Sequence, residues 1–170
     1  PPVLGLRRVD SNSECNDFNQ IIHNLMKQVD FDYVVLSARW RMYLTAERFD
    51  NGQGYIEDYR VEYDTIEGIE QYDRQSRVEM VVKDYLQSTF AEFQEKKFII
   101  VGQIPEAGWR VPEYIAKRFM LEGTISQVVI SREHIEQANI PAASLLTSIE
   151  APNYFYFEPL DVFCDENTCR

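Results

Sequence analysis

Three short, continuous apolar runs constrain this chain more than anything else in it. They are Tyr33–Ala38, Phe98–Val101 and Tyr154–Phe157. Each is too short for a buried helix, and none alternates as a half-solvated strand does. Such runs are strands covered on both faces, the habit of parallel sheets. The segments between them change to a helical period. Cys15, Phe18, Ile21, Ile22, Leu25, Met26 and Val29 recur at steps of three and four, with Ser11 and Glu14 forming a capping box ahead of them. Val78, Val81, Val82, Tyr85, Leu86, Phe90 and Phe93 form the stripe of a helix over about 73–95, and Lys96-Lys97 suit its carboxyl end. Pro112 opens a short helix to about Met120. A last helix spans 131–149, with Ile135, Ala138, Ala142, Leu145, Leu146 and Ile149 on one face. Pro141 is expected to kink or split it.

The order is helix, strand, excursion, helix, strand, helix, helix, strand. It specifies an α/β chain, a three-layer α/β/α sandwich with a mainly parallel sheet, formed as one domain over residues 1–170. Three strands are few for such a sheet, and an opening strand is expected before Pro1. Residues 1–10 read as a loop. Residues 41–72 are less regular and read as an excursion from the core, a flap over the strand ends. Asn51-Gly52-Gln53-Gly54 is its turn signal. Tyr55, Tyr59, Val61 and Tyr63 then alternate with polar residues as an exposed strand or half of a hairpin would. A tyrosine row of this kind suits a sugar-facing flap, and it equally suits simple packing.

Ligands of open α/β sheets collect beyond the carboxyl ends of the strands. The first run stops at Ala38-Arg39-Trp40, and the second leads into Gln103–Trp109. Arg39 suits either a bound carboxylate or the anchoring of the sheet edge. Trp40 suits either the floor of a sugar or acyl pocket or the core. Other chemistry is thin. The only histidines are His23, within the first helix, and His134, in the first turn of the last one, where a polar residue serves the cap. No serine sits in a G-x-S-x-G turn. The carboxylate pairs Glu57-Asp58, Glu62/Asp64 and Glu67/Glu70 read as solvated surface among 28 acidic residues. Gly52 and Gly54 make no phosphate loop. No metal or cofactor is expected. A net charge of −11 and a pI near 4.6 argue against nucleic acid and anionic lipid as partners. No apolar run reaches the roughly 20 residues that span a bilayer.

Cys164 and Cys169 flank the polar turn Asp165-Glu166-Asn167-Thr168. The spacing permits a disulfide-closed loop, and with it an oxidising compartment, or two free thiols near a flexible end. Zinc is disfavoured because neither histidine lies near the pair. Cys15 reads as a buried helix residue or as half of a bridge to a cysteine outside the chain.

Several short motifs, in order, resemble one family. Pro1-Pro2 resembles a Cys-Pro-Pro segment, and Glu14-Cys15-Asn16-Asp17-Phe18-Asn19 the helix start that follows it. Val34–Trp40 resembles a strand ending in alanine–arginine–tryptophan. Gly102-Gln103-Ile104-Pro105-Glu106 with Val111-Pro112 resembles the next strand end, and Phe163-Cys164 through Cys169 a closing cysteine pair. Together they resemble the extracytoplasmic SGNH-type domain attached to membrane acyltransferases of the third acyltransferase family. The resemblance implies a flavodoxin-like sheet and transfer or removal of acyl groups, usually acetyl, on hydroxyls of cell-surface polysaccharide. The periplasmic or extracytoplasmic face of the bacterial inner membrane would be the location. The partners would be a glycan acceptor and an acyl donor delivered by the membrane domain.

The same resemblance implies a Cys164–Cys169 bridge and a bridge from Cys15 to a cysteine before Pro1. It implies a pocket shaped by Ala38, Arg39 and Trp40, with the Ala38 or Arg39 amide as an oxyanion donor. The family's glycine–aspartate–serine and Asp-x-x-His motifs are absent from the 170 residues and are expected beyond its two ends. No catalytic residue is therefore assigned. Two other readings remain: a non-catalytic glycan- or protein-binding domain of the same fold, and a cytoplasmic flavodoxin-like regulatory domain.

Overall fold

The computed structural model describes residues 3–9, 15–57, 60–65, 69, 71–107, 110–125 and 128–169. The Ser11/Glu14 capping box, Tyr59, Trp109 and the Cys15 side chain lie outside the described residues. The elements in chain order are β1 (Leu6–Arg8), α1 (Cys15–Gln28), β2 (Tyr33–Ser37), α2 (Trp40–Thr45), β3 (Tyr63–Thr65), α3 (Arg74–Glu92), β4 (Lys97–Val101), α4 (Val111–Glu122), β5 (Ile130–Ser131), α5 (Arg132–Thr147), β6 (Tyr154–Phe157), α6 (Leu160–Phe163) and β7 (Thr168–Cys169).

The three apolar runs become one parallel sheet, ordered β2-β4-β6. Its register aligns Val34 with Phe98 and Tyr154, and Leu36 with Ile100 and Tyr156. That face carries the core. Phe98 and Ile100 are fully buried against Val78, Val82, Leu86 and Phe90 of α3, Ala142 and Leu146 of α5, and Trp40 and Leu44 of α2. Phe90 stacks on Tyr154 with ring centroids 5.2 Å apart. Both crossover helices thus cover the same face. Asp73 caps α3 by accepting from the Ser76 amide. At the other end of α3 the buried Asn153 Nδ2 lies within 3.1 Å of the Phe90, Phe93 and Lys96 carbonyls. One side chain thereby serves the helix end and fixes the turn into β6. On the opposite face Tyr33, Val35, Phe155 and Phe157 are exposed. The fold is α/β, a parallel sheet flanked by helices, as expected, but the cover on both faces that the apolar runs predict is not found among the described residues.

Several local expectations change. Pro141 does not split α5, which is one helix over Arg132–Thr147. Burial of Ile135, Ala142 and Leu146 along one face holds it together across the missing N–H. The excursion begins later than position 41, because Trp40–Thr45 is helix α2 and Leu44 lies in the core. Only the start of the 55–63 alternation pairs locally: Asp50 and Ile56 form a single antiparallel bridge across the 51–54 turn, with the Asn51 and Glu57 amides donating to the Tyr55 and Phe49 carbonyls. The strand is Tyr63–Thr65, and its partner is β1, in the stretch read as a loop. Tyr63 is buried edge-on to Tyr43, 4.9 Å between centroids, so it faces no sugar. Three-residue strands are too short to show a period.

The α1 stripe does not bury as a unit. Asn19 and Met26 pack inward while Phe18, Ile21 and Leu25 are exposed. The Asn19 amide donates to the Val3 carbonyl, and Glu92 of α3 holds both His23 and Lys27. Near the carboxyl end β5 and β7 form a short antiparallel ribbon, and Cys164 and Cys169 are joined as a disulfide. Asp165 organises the intervening turn by accepting from the Asn167 and Thr168 amides.

Candidate functional site

Beyond the carboxyl ends of β2 and β4 the chain builds a linked polar cluster. Arg39 follows β2 and precedes α2. Its Nε donates to Glu106 Oε1 at 2.7 Å and its Nη2 to Glu106 Oε2 at 2.8 Å, a two-pronged pair. Nη2 also lies 3.0 Å from Glu57 Oε1. The Glu106 hydrogen bond above all, followed by opposing burial and then the charges of Glu106 and Glu57, holds the Arg39 proton more tightly than usual. Glu57 accepts from the Phe49 amide as well, so the excursion is tied to the strand end through one carboxylate.

Gln103, nearly buried, is the second organiser. Its Oε1 accepts from the Arg41 amide at 3.1 Å, and its Nε2 donates to Glu106 Oε1 at 3.0 Å. The Asn139 amide reaches the Gln103 carbonyl from α5. Gly102, just before it, lies where a side chain would be crowded. A Cβ there would stand 2.5 Å from the Tyr156 hydroxyl of the neighbouring strand. That hydroxyl donates to Glu158 Oε2 at 2.7 Å, and burial, then the Glu158 hydrogen bond, push its pKa upward. Glu158 in turn accepts from the Leu160 amide. All three strand ends therefore lead into polar groups.

The residues singled out by sequence fall into different roles. Ala38 and Arg39 lie on the loop at the strand end. Trp40 is 1% exposed, and its indole N–H donates to the Val101 carbonyl at 2.8 Å. It braces β2 against β4 from inside the core and does not floor a pocket. Glu57, expected on the solvated surface, has a side chain only 15% exposed. Sequence had no signal for this, since its partner Arg39 lies 18 positions away. Gln103 and Glu106 carried one, being polar residues directly after a buried strand.

The histidines stand apart from this cluster. His134 Nε2 lies 2.6 Å from the Asp50 carbonyl, and its ring packs over Gly52, so it pins the excursion turn. Ser131, rather than His134, caps α5. His23 pairs with Glu92. Asp64 is bound by Arg77 at 2.7 Å and is not simple solvated surface. No group of three or more His, Cys, Asp or Glu among the described residues is placed to hold a metal.

The family model for the SGNH domain (fused to AT3 domains) matches residues 1–170. The chain belongs to this family. No match is found among curated proteins or among solved structures. As an SGNH domain of the AT3-fused kind, the chain falls within an acyl-transfer and hydrolase family. Fusion suggests an acyltransferase domain as partner in the same polypeptide and membership of a membrane protein. Among the described residues of this domain no helix is long and apolar enough to cross a membrane.

Proposed function

We propose that this SGNH domain forms one wall of an extracytoplasmic acyl-transfer site acting on hydroxyls of cell-surface polysaccharide. The observation that carries the reading is the Arg39–Glu106–Glu57 cluster at the strand ends, where ligands of such sheets gather. In the reaction the family resemblance implies, a serine oxygen attacks the acyl carbonyl and the donor's leaving group departs with the proton. A sugar hydroxyl, or water, then takes the acyl group and restores the serine. Within that reaction the part played by the Arg39 cluster is positional. Arg39, clamped by two carboxylates, fixes the Ala38–Arg39 loop, and amides of that loop are the oxyanion donors. Trp40 braces the loop from behind. The membrane acyltransferase domain delivers the acyl donor. The Cys164–Cys169 disulfide supports an oxidising, periplasmic location.

The test uses the natural protein in its own cells. Arg39→Ala should lower the O-acetyl content of the surface polysaccharide, read by NMR of the purified glycan, at unchanged protein level. Unaltered O-acetylation would overturn the proposal. A non-catalytic glycan-binding domain is the second reading. It requires that substitution of any upstream serine leave O-acetylation intact.

A further inference from the structure

Arg41 is the charged side chain at the strand ends that the cluster above does not use. It is buried, with 7% of its side chain exposed. Among the described residues its guanidinium donates no hydrogen bond. Its Cζ lies over the Phe49 ring, 5.2 Å from the centroid. Its nearest carboxylate is Glu47 at 3.9 Å, beyond hydrogen-bond reach, and that side chain is 74% exposed. Arg39 meets its two carboxylates at 2.7 to 3.0 Å by contrast. A guanidinium carries five N–H donors in a rigid fork. None of them is paired among the described residues, yet none of the three nitrogens is wholly cut off from solvent, so the fork can be reached from outside. A planar anion takes two such donors at once.

We propose that Arg41 binds a carboxylate carried by the acceptor glycan, a uronic-acid-type sugar, and that Glu47 is the gate the carboxylate displaces. The charge arithmetic favours a monoanion. One unspent positive charge faces Glu47, in a chain of net charge −11, and a dianionic phosphate would be left half-neutralised. The backbone on both sides of the subsite is fixed by the cluster already described. The Arg41 amide is held by Gln103, and the Phe49 amide by Glu57. A sugar carboxylate on Arg41 therefore sits beside the Arg39 loop. The Glu47 amide is held by Thr45 Oγ1, so only its side chain has to swing out.

The inference deepens the acyl-transfer reading and rests on it for the identity of the ligand. The binding itself is measured without turnover. The chain is titrated at low ionic strength with glucuronate, acetate and glucose while amide and Arg side-chain NMR signals are followed. Glucuronate should shift the signals of Arg41 and of residues 46–49, and glucose should not. Arg41→Met should weaken binding by about tenfold or more, the loss of a charge-assisted pair. Arg41→Lys should retain part of it. Glu47→Gln should strengthen binding by up to about fivefold by removing the competing charge. A merely structural arginine would not respond to that last change. If Arg41→Met fails to fold, the sign of the Glu47→Gln effect decides alone.

Equal binding of glucose and glucuronate, or no gain in Glu47→Gln, would overturn the proposal. Acetate binding as tightly as glucuronate would do the same, since it marks a site for a released acid rather than an acceptor. Loss of carboxylate binding with Arg39-dependent O-acetylation intact sinks this inference alone. The reverse result sinks only the acyl-transfer reading.

Discussion

Arg39 and Glu106 meet through two parallel hydrogen bonds of 2.7 and 2.8 Å although 67 positions separate them in the chain. The pair locks the loop after β2 to the loop after β4. Glu106→Gln keeps the shape and removes the charge, leaving Arg39 to Glu57. With Arg39 a third exposed, the expected loss is about 1–2 kcal/mol, read as a lower midpoint in urea. Glu57→Gln should cost less and should raise proteolysis within 46–57 first, because Glu57 also holds the Phe49 amide. Identical proteolysis patterns for the two variants would contradict this division.

Gly102→Ala places a methyl against the Tyr156 hydroxyl and should destabilise by about 1–3 kcal/mol through overpacking. Tyr156→Phe removes the oxygen 2.5 Å from that methyl, though the ring carbon behind it stays at 3.0 Å. The double variant should therefore recover part of the loss. A double-mutant cycle showing simple additivity would count against the contact.

Asp64 is pushed up by burial but pulled down further by its hydrogen bonds from Arg77 and the Thr65 amide, so its folded pKa lies below the ordinary 3.8. A carboxyl depressed in the folded state stabilises above its unfolded pKa and loses that contribution as pH falls through the folded one. The loss therefore belongs below about pH 4. Asp73 and Glu92 are depressed too and act in the same window. Arg77→Met should flatten the Asp64 part, visible as a smaller difference in urea midpoint between pH 6 and pH 3. An unchanged difference would disprove the assignment.

Reducing the Cys164–Cys169 bridge opens a loop of only a few residues. The expected cost is about 2 kcal/mol by loop-closure entropy. Loosening should be confined to the β5–β7 ribbon and its small apolar cluster of Phe49, Ile130, Ile135 and Leu160. Hydrogen exchange should quicken at Ile130 and Thr168 and stay slow at Phe98 and Ile100. Global acceleration would show the bridge supports the whole fold.

What the sequence determined by itself was the set of elements whose signal is local and long. Val34–Leu36, Phe98–Val101 and Tyr154–Phe157 are short continuous apolar runs, which marks them as strands of a parallel sheet, although one face of them stays exposed at Val35, Phe155 and Phe157. The α3 stripe from Val78 to Phe90 is buried in the predicted phase. The motif order from Ala38-Arg39-Trp40 to Cys169 led to the family. Tertiary structure decided what each residue meets. Nothing near Trp40 in sequence says that its indole faces Val101 from the core. Nothing near Glu57 says that it belongs to Arg39, and nothing in the α1 stripe says that Phe18 and Leu25 stay outside while Asn19 goes in. Periodicity records which residues share a face. Only the folded chain supplies the neighbour across from that face, and hydrogen bonds between residues 18 or 67 positions apart leave no pattern in a single sequence.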